Sequence, residues 1–458
     1  MLYDVIFIGG GSAGYAGGIA AAKKGLKVAV VELDKLGGTC LQRGCIPTKT
    51  YLHSLKVLKQ LKSCSKLGLK INDFIFDIDH MIKQKNRVVS KLTKGIEFLF
   101  NKNNVDHING KARVISEDTV LINEEQELKS KNIVISTGSK PLELPFLKVD
   151  GEYVINSDIA LDLKKIPDRL LVVGAGAVGL EIGTIYNYLG SEVYIVEILN
   201  SILPGLDIEL SGILEKELRK QKMNIYTSTF VSEPLINRDK QTIKLHFKRG
   251  DKKWKEEFSK VLLSVGRFAN SDKLFDKSLN IKRDKKGFIK VNNNLQTGVP
   301  NIFACGDVVG EPLLAHKASR QAIGIVDFIK ERKKIPKYTI PAAVFTFPEF
   351  ASVGLSEERA KERGIDIKIG RFPYSAGSRS NVIDEKTGIV KIIADENNVI
   401  VGAHILGVEA GELMPLLTYA ISEKKKTDDF KELIFIHPTI SENIWEAMGG
   451  VSGFSIHI

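Results

Sequence analysis

The sequence predicts an α/β protein with two Rossmann-like, doubly wound domains and a separate α+β domain at its C-terminal end. The first reason is an internal duplication: VIFIGGGSAGYAGGIAAAKKGLKVAVVE, ending at Glu32, matches LLVVGAGAVGLEIGTIYNYLGSEVYIVE, ending at Glu197, without a gap. Each copy reads as a strand, a glycine turn, a helix of small residues and a β-branched strand, which is one βαβ unit. The second reason is that short strands and helices alternate after Pro341 without another glycine-rich loop.

Each copy of the duplication carries a glycine fingerprint for a dinucleotide. Gly9, Gly11 and Gly14 follow a strand and open a helix, where backbone N–H groups can meet a pyrophosphate while Glu32 accepts from a ribose hydroxyl. Gly174, Gly176 and Gly179 repeat the pattern and end at Glu197. The segment ILNSIL (198–203) directly after Glu197 contains no arginine to neutralise a 2′-phosphate, so the second loop is predicted to bind NAD and not NADP.

The length of 458 residues suggests about three domains. Strand-like segments that end near Pro141 and Asn270 close the first two. We therefore expect the first dinucleotide-binding domain, with a central segment, in residues 1–145 and 268–338, the second in 146–267 and a terminal domain in 339–458. Apolar residues recur at helical spacing in 54–70 and 77–102 with lysines on the outer faces, which predicts surface packing helices.

Composition excludes several classes of protein. The net charge is +11, but the lysines are interpreted as scattered along the chain and do not form a basic tail or stripe. Nucleic acid is therefore not expected as a ligand. Acidic proteins are the expected partners. Four cysteines are too few for a secreted disulfide framework, which predicts a reducing compartment. No run of 18 or more apolar residues lacks charges, so no membrane segment is expected and the protein is expected to be soluble and cytoplasmic.

The segment GGTCLQRGCIPTK, residues 37–49, places two cysteines, Cys40 and Cys45, five positions apart. Such a pair can close into a disulfide if the first cysteine precedes a helix and the second lies in its first turn, where the helix dipole favours a thiolate. The alternatives are half of a zinc site or two inert thiols. Because the chain has no second cysteine pair and no HxxxH, a redox pair is favoured and no metal site is expected.

These motifs, together with ACGDV (304–308) and HPTISE (437–442), resemble the flavoprotein disulfide reductases, the class I pyridine nucleotide-disulfide oxidoreductases. The resemblance runs over essentially the whole chain and in the order of the family. It implies FAD at the first glycine loop and NAD at the second. It also implies that Cys45 faces the flavin and that Cys40 exchanges with the substrate.

The resemblance assigns further roles. Lys49 would lie near the flavin and pair with Glu181. His437 would be the base that thiol exchange requires, with Glu442 fixing its tautomer. In the family this dyad reaches the cysteines of the other subunit, which implies a homodimer with shared active sites and a terminal dimerisation domain. Further FAD contacts are implied for Ser12, Ala13, Gly38, Thr39, Gly110, Thr137, Gly138, Ser139, Asp307, Leu314, Ala315 and His316, and an NAD contact for Gly266.

Three other residues are interpreted as structural. Cys64 lies in a lysine-rich helical stretch and is expected to be a thiol without a role. Cys305, beside Asp307, is expected to pack near the FAD site. His404 is expected to be a strand residue whose hydrogen bonds are satisfied.

Within the family, the chain is most similar to the dihydrolipoamide dehydrogenase branch, through Glu197, LLAHKAS (313–319) and GAHILGVEAGELM (402–414). This implies oxidation of free dihydrolipoamide or of a lipoyl-bearing protein, with acidic subunits of a 2-oxoacid dehydrogenase or glycine cleavage complex as partners. Phe435, Phe347 and Ser319 depart from the pattern of that branch. The alternatives are an NADH-dependent reductase of another small disulfide, of the glutathione type, and a flavoprotein subunit with mainly an assembly role.

Overall fold

The computed structural model describes residues 2–71, 73 and 76–457. The chain forms two compact units. Unit 1 comprises Met1–Leu142, Ser157–Lys165 and Gly266–Lys337, and unit 2 comprises Glu143–Asn156, Ile166–Val265 and Tyr338–Ile458. The predicted division into three domains stays a prediction.

The strands are named in chain order over the described residues. They are β1 (Leu2–Tyr3), β2 (Val5–Ile8), β3 (Val28–Glu32), β4 (Asp106–Asn109), β5 (Ala112–Val114), β6 (Thr119–Ile122), β7 (Gln126–Ser130), β8 (Ile133–Ile135), β9 (Ser139–Pro141), β10 (Val154–Ile155), β11 (Arg169–Val173), β12 (Glu192–Val196), β13 (Asn224–Tyr226), β14 (Phe230–Asn237), β15 (Thr242–Arg249), β16 (Lys252–Phe258), β17 (Lys260–Leu263), β18 (Arg267–Ala269), β19 (Ile302–Ala304), β20 (Ala342–Val344), β21 (Glu349–Gly354), β22 (Ile367–Pro373), β23 (Ile389–Asp395) and β24 (Ile400–Gly407).

The helices follow the same convention. They are α1 (Ser12–Lys23), α2 (Gly38–Arg43), α3 (Cys45–Ser63), α4 (Ile78–Lys102), α5 (Ser157–Ala160), α6 (Ala177–Tyr188), α7 (Ile208–Lys220), α8 (Ala315–Glu331), α9 (Glu357–Glu362), α10 (Ser378–Val382), α11 (Ala410–Ser422) and α12 (Glu442–Ser452). Short 3₁₀ turns span Cys64–Leu67, Lys277–Leu279, Gly306–Val309, Tyr374–Ala376 and Thr427–Phe430.

A five-stranded parallel sheet, in the order β19-β8-β2-β3-β4, is the centre of unit 1. Side chains of β2 alternate between its faces: Val5 and Phe7 join one buried cluster, and Ile6 and Ile8 join the other. Both faces are therefore covered, as parallel sheets require. Two smaller sheets, β1-β7-β6-β5 and β18-β9, complete the strands of the unit.

Unit 2 repeats the parallel design and adds antiparallel sheets. Its parallel sheet runs β10-β17-β11-β12-β13, so the strand after which the second glycine loop begins is again central. β14, β15 and β16 form an antiparallel meander, and β20-β21-β24-β23-β22 form a five-stranded antiparallel sheet. Two parallel nucleotide-type sheets and a mixed terminal region confirm the predicted fold class.

The two lysine-rich helices that the sequence predicts are present as α3 and α4. The first ends earlier than expected: α3 stops at Ser63, and a 3₁₀ turn leads to Gly68, whose φ of 79° ends the helical path. Glycine adopts this left-handed conformation readily, and it ends many helices for that reason.

A buried ion cluster holds β23, α7 and α9 of unit 2 together. The Nζ of Lys391 lies 2.9 Å from Asp207, 2.8 Å from Glu209 and 3.0 Å from Glu357, and Lys391 and Asp207 are fully buried. Asp207 also caps α7 by accepting from the backbone N–H of Leu210 at 3.1 Å. Removing the cation would leave the buried Asp207 carboxylate without a cation, which is the costly way to break such a cluster, whereas Glu209 and Glu357 would keep Arg371.

We predict that Lys391→Met lowers the free energy of unfolding by about 3–5 kcal/mol, because the variant removes one partner of a fully buried ion pair. The matched control is Lys368→Met, on the neighbouring strand β22, where the lysine is exposed and a change within about 0.5 kcal/mol is expected. Urea unfolding followed by circular dichroism measures both. Equal midpoints for the two variants would contradict the structural role of the cluster.

Candidate active site

The first glycine loop connects β2 to α1, and Glu32 at the end of β3 closes it. The Glu32 carboxylate accepts from the backbone N–H of Gly10 at 2.6 Å and of Asp34 at 2.9 Å. The backbone N–H of Gly110, a predicted FAD contact, donates to the Glu32 carbonyl at 2.8 Å. The loop, the acid and Gly110 are thus brought together as predicted.

The second loop repeats this arrangement in unit 2. The Glu197 carboxylate accepts from the backbone N–H of Ala175 at 2.8 Å and of Leu199 at 3.0 Å. Its side chain is buried. Each carboxylate is therefore held rigidly at the carboxyl edge of a parallel sheet, where it can accept one further hydrogen bond from a sugar hydroxyl.

The glycines show that both loops fit a dinucleotide. A Cβ on Gly14 would lie 1.8 Å from the Gly9 carbonyl oxygen, and one on Gly179 would lie 2.1 Å from that of Gly174, so helix and strand touch there. By contrast, a Cβ on Gly176 would meet nothing within 4 Å, and one on Gly11 would meet only Gly38 at 3.7 Å. The middle glycine leaves space over its backbone, which is where a pyrophosphate approaches.

A hydrogen-bonded network places the remaining predicted contacts of unit 1. Ser139 donates to Asp307 at 2.6 Å and accepts from Arg267 at 2.7 Å. The Thr137 hydroxyl donates to the Asn270 carbonyl at 2.6 Å, and the Asn270 N–H donates to Gly138 at 2.9 Å. Burial lowers the pKa of Arg267, and the nearby Asp307 opposes that shift.

Helix α8 begins beside this network. Leu314 precedes its first residue, Ala315, and His316 is exposed. The Ser319 hydroxyl donates to the Ser12 carbonyl at 2.9 Å, which joins α8 to the first turn of α1. Ser319, one of the departures from the family pattern, therefore has a packing role between two helices. Ala13, on the same turn of α1, is buried.

The two cysteines lie at the junction of α2 and α3. Cys40 lies within α2, after Gly38 and Thr39, and Cys45 is the first residue of the 19-residue α3. The Cys40 thiol hydrogen-bonds the Cys45 sulfur, so the sulfurs face each other. The predicted position of the second cysteine in a first helical turn agrees with the structure, whereas the first lies inside a short helix of its own.

The charge distribution differs between the two sulfurs. The pKa of the Cys40 thiol is raised, first by its hydrogen bond with Cys45 and then by burial, while the positive charge of Lys49 opposes the shift. Cys45 lies at the N-terminus of α3, where the helix dipole stabilises an anion. The direction of the Cys40 shift and the position of Cys45 at a helix N-terminus both favour Cys45 as the sulfur that accommodates negative charge.

His437 and Glu442 form the predicted dyad in unit 2. His437 Nδ1 lies 2.9 Å from Glu442 Oε1, and Glu442 Oε2 accepts from the backbone N–H of Thr439 at 2.7 Å. Glu442 is the first residue of α12. The carboxylate fixes Nδ1, which leaves Nε2 of the exposed imidazole for proton transfer.

Glu181 is buried on α6, where its carboxylate accepts from the backbone N–H of Phe345 at 2.9 Å. Its pairing with Lys49 stays a prediction.

Phe347, another departure from the family pattern, packs its ring on Tyr188, with ring centroids 5.2 Å apart, and its backbone carbonyl accepts a hydrogen bond from Gln221. Gly266 has a φ of 111°, and a Cβ added there would meet nothing within 4 Å.

The three residues interpreted as structural are all buried. Burial raises the pKa of the Cys305 thiol to about 12, and His404 bonds Ser352 at 2.8 Å and the Leu355 carbonyl at 2.9 Å. The Cys64 thiol donates to the Leu69 carbonyl at 3.5 Å, where the chain turns at Gly68, so it has a local contact that the sequence did not indicate. Within the described residues, no group of His, Cys, Asp and Glu side chains could hold a metal ion.

Sequence reasoning missed some residues of the site. Arg267 follows Gly266 in the motif SVGR, so a local signal existed for it. Gln321 accepts from the Gly306 N–H at 2.9 Å, but nothing nearby in the sequence marks it. A second histidine–glutamate pair, His457 with Glu446 at 2.6 Å, is structural and not part of the site, because the buried Glu446 also accepts from Ser455 and Ile456 and fixes the segment after α12.

Comparison with known proteins identifies the family. Residues 3–322 match the pyridine nucleotide-disulphide oxidoreductase model, and residues 340–448 match the dimerisation domain of that family. The chain belongs to the pyridine nucleotide-disulphide oxidoreductases. It is thus an oxidoreductase, and FAD and NAD(H) are the cofactors of its family, which confirms the cofactor prediction.

Individual relatives in this oxidoreductase family cover nearly the whole chain. The chain is 37% identical over 99% of its length to dihydrolipoyl dehydrogenase 1 of Arabidopsis thaliana mitochondria, of which it covers 91%. It is 36% identical over its full length to the dihydrolipoyl dehydrogenase of Thermus scotoductus, of which it covers 99%. Among solved structures, the HOCl-induced flavoprotein disulfide reductase RclA of Escherichia coli superposes with a TM-score of 0.87 at 26% identity, over 98% of this chain and 99% of RclA.

We predict that Gly176→Ala weakens NADH binding about tenfold or more, because the added methyl occupies the space through which the pyrophosphate approaches the backbone. A tenfold weaker affinity corresponds to a loss of about 1.4 kcal/mol of binding free energy. The thermal midpoint should not change, because the methyl meets nothing in the loop. Gly179→Ala is the matched contrast, because its methyl would lie 2.1 Å from the Gly174 carbonyl oxygen and should lower the midpoint. NADH titration and thermal unfolding together measure both; normal NADH affinity in Gly176→Ala would contradict the assignment of this loop.

Proposed function

We propose that this protein is a dihydrolipoyl dehydrogenase, which oxidises dihydrolipoyl groups to lipoyl groups with NAD as the acceptor. The observation that carries the proposal is the pair of sulfurs at the junction of α2 and α3, where the Cys40 thiol hydrogen-bonds Cys45 at the N-terminus of α3. Identity of 36–37% over essentially the whole chain to proteins named dihydrolipoyl dehydrogenase supports the substrate.

The substrate dithiol reacts with the oxidised Cys40–Cys45 pair by thiol–disulfide exchange. One substrate thiolate attacks Cys40, so the Cys40–Cys45 bond breaks and Cys45 leaves as a thiolate. The second substrate thiolate then attacks its partner sulfur in the mixed disulfide, which closes the substrate disulfide and releases Cys40. Two electrons have moved from the substrate to the cysteine pair.

The stabilised charge at Cys45 makes it the natural leaving group, because a thiolate at a helix N-terminus leaves readily. Bound FAD supplies a two-electron acceptor that connects the cysteine pair to NAD. Residues proposed to hold FAD are the first glycine loop with Glu32, Gly110 and the Ser139–Asp307 network. Lys49, whose positive charge acts on Cys40, would stabilise charge on the cysteine pair.

His437 is the proposed base for the substrate thiols. With Nδ1 held by Glu442, Nε2 takes the proton of the attacking thiol and returns it to the released Cys40. The family match to a dimerisation domain supports a homodimer. Ile434 and Ile436, which are 93% and 77% exposed beside His437, are the apolar side chains expected on a surface that a second subunit covers. We propose that His437 acts on the cysteine pair of the second subunit.

Glu197 supports NAD over NADP. Its buried carboxylate already binds two backbone N–H groups and would repel a 2′-phosphate at the same position. The proposed partners are free dihydrolipoamide or a lipoyl-bearing subunit of a 2-oxoacid dehydrogenase or glycine cleavage complex. The structure describes no helix long and apolar enough to cross a membrane. The proposed location is cytoplasmic, which cysteine usage supports, although plant relatives are named mitochondrial.

A second candidate is an NADH-dependent reductase of another small disulfide, which the likeness to the disulfide reductase RclA favours. A substrate panel separates the two. Rates are measured with dihydrolipoamide and NAD, and in the other direction with lipoamide, glutathione disulfide and cystine, each with NADH and then NADPH. Preference for the lipoyl pair with NAD(H) supports the proposal, and a higher kcat/KM for glutathione disulfide or cystine would overturn it.

We predict that His437→Ala slows dihydrolipoamide oxidation by about 10²–10⁴-fold, the usual contribution of a general base. NADH-dependent reduction of an artificial acceptor, which bypasses the thiols, should change little. His457→Ala is the matched control, since it removes an equally exposed histidine that also bonds a glutamate through Nδ1. Stopped-flow measurement of both reactions checks the prediction, and similar losses in the two variants would contradict a specific role for His437.

A further inference from the structure

The positive charge of the chain is concentrated in the α3–α4 hairpin. Residues 54–102 contain eleven lysines and arginines against four acids, so this segment carries +7 of the net +11. The sequence-based expectation that the lysines are scattered is wrong for this hairpin. A concentrated charge creates a field that attracts oppositely charged partners.

Four of these cations form a single ridge on α4. Lys83, Arg87, Lys91 and Lys94 are exposed and follow one another at helical spacings of four, four and three residues, which places them on one side of the helix. None of the four forms an ion pair with a side chain in the part of the chain that the structure describes. The only cation of α4 that is buried, Lys85, is paired with Asp162. We call the four exposed residues the basic ridge.

An exposed aromatic side chain lies on the same side of α4 as the basic ridge. Phe98 is 64% exposed and follows Lys94 by four residues and Lys91 by seven. An exposed aromatic group bordered by charges is typical of a protein–protein contact, in which an apolar centre is surrounded by a polar rim. Phosphate backbones and lipid headgroups would engage the cations without requiring this neighbouring apolar surface.

The helix that carries the basic ridge contacts the helix that carries Cys40. Gln42, two residues after Cys40 on α2, donates from Nε2 to the Thr93 hydroxyl at 2.8 Å. Thr93 lies on the flank of α4 that faces α2, not on the ridge itself. A macromolecule bound to the ridge is therefore held on the helix that packs against the Cys40 segment, which gives a thiol-delivering partner a reason to bind there that a nucleic acid or a membrane lacks.

We propose that the basic ridge docks an acidic carrier domain that presents its dihydrolipoyl group to Cys40. The inference rests on the proposed function and names the surface through which that substrate arrives. Carboxylates of the carrier would face the four cations, and its apolar side chains would cover Phe98. The attraction raises the association rate of the carrier and leaves the exchange chemistry unchanged.

The test compares two substrates in charge variants of the full-length protein. The ridge variant is K83E/R87E/K91E/K94E, and its milder form is K83Q/R87Q/K91Q/K94Q, in case the reversal disturbs the helix. The matched control is K282E/K285E/K286E/K290E, which changes the net charge equally at exposed lysines of unit 1 away from the ridge. The probes are free dihydrolipoamide and an isolated, dihydrolipoylated carrier domain of net negative charge.

In the ridge variant, kcat/KM for the carrier domain should fall about tenfold or more at low salt, while kcat/KM for free dihydrolipoamide stays unchanged. The difference between wild type and variant should vanish near 1 M NaCl, where the Debye length is about 3 Å. The control variant should lose clearly less. Replacing the carrier's surface carboxylates by amides should lower the wild-type rate to that of the ridge variant.

Unchanged carrier kinetics in the ridge variant would overturn the proposal, as would equal losses in ridge and control variants. A ridge variant that keeps its carrier rate but loses retention on anionic vesicles or duplex DNA would assign the surface to those ligands instead. Failure of the proposed function is distinguishable, because the wild type would then oxidise neither free dihydrolipoamide nor the carrier.

Discussion

The relative position of the two cysteines depends on the break between α2 and α3 at Gly44. A Cβ at this position would lie 2.9 Å from the Thr39 carbonyl oxygen, so a side chain would push the two helices apart. Because the chain turns here without one, α3 starts immediately at Cys45, and the short α2 brings Cys40 against it. Helix geometry thus gives two chemically identical thiols different surroundings, because Cys45 lies at a helix N-terminus and the pKa of the Cys40 thiol is raised by its hydrogen bond with Cys45 and by burial.

The two dinucleotide loops share one backbone geometry. In both units a glycine-tight turn after the central parallel strand brings a helix N-terminus close to a carboxylate that binds two backbone N–H groups. This shared geometry explains why the duplication is visible in the sequence. The close contacts at Gly14 and Gly179 leave no room for a side chain. The open space at Gly11 and Gly176 is where the dinucleotide approaches the backbone.

Local patterns predicted most of this design because the βαβ units, the helix after the cysteines and the His437–Glu442 pair each depend on residues close in the chain. Features joined over long distances were not predictable. Lys391 meets Asp207 across 184 positions, and Ser139 meets Asp307 across 168. The basic ridge was missed for another reason: lysines that look scattered in the sequence fall on one side of α4 only when the helical register is applied.

The two sulfurs are proposed to have separate roles, with Cys40 open to substrate and Cys45 turned to the flavin. The most direct measurement uses the FAD-loaded variants Cys45→Ser and Cys40→Ser, each with one sulfur of the pair, treated with a small aromatic disulfide and mapped by peptide mass spectrometry. Because bound FAD is proposed to cover Cys45, we expect a mixed disulfide on Cys40 in the first variant and no adduct on Cys45 in the second, although a helix N-terminus favours the Cys45 thiolate. Equal labelling of the two cysteines would contradict the division of roles.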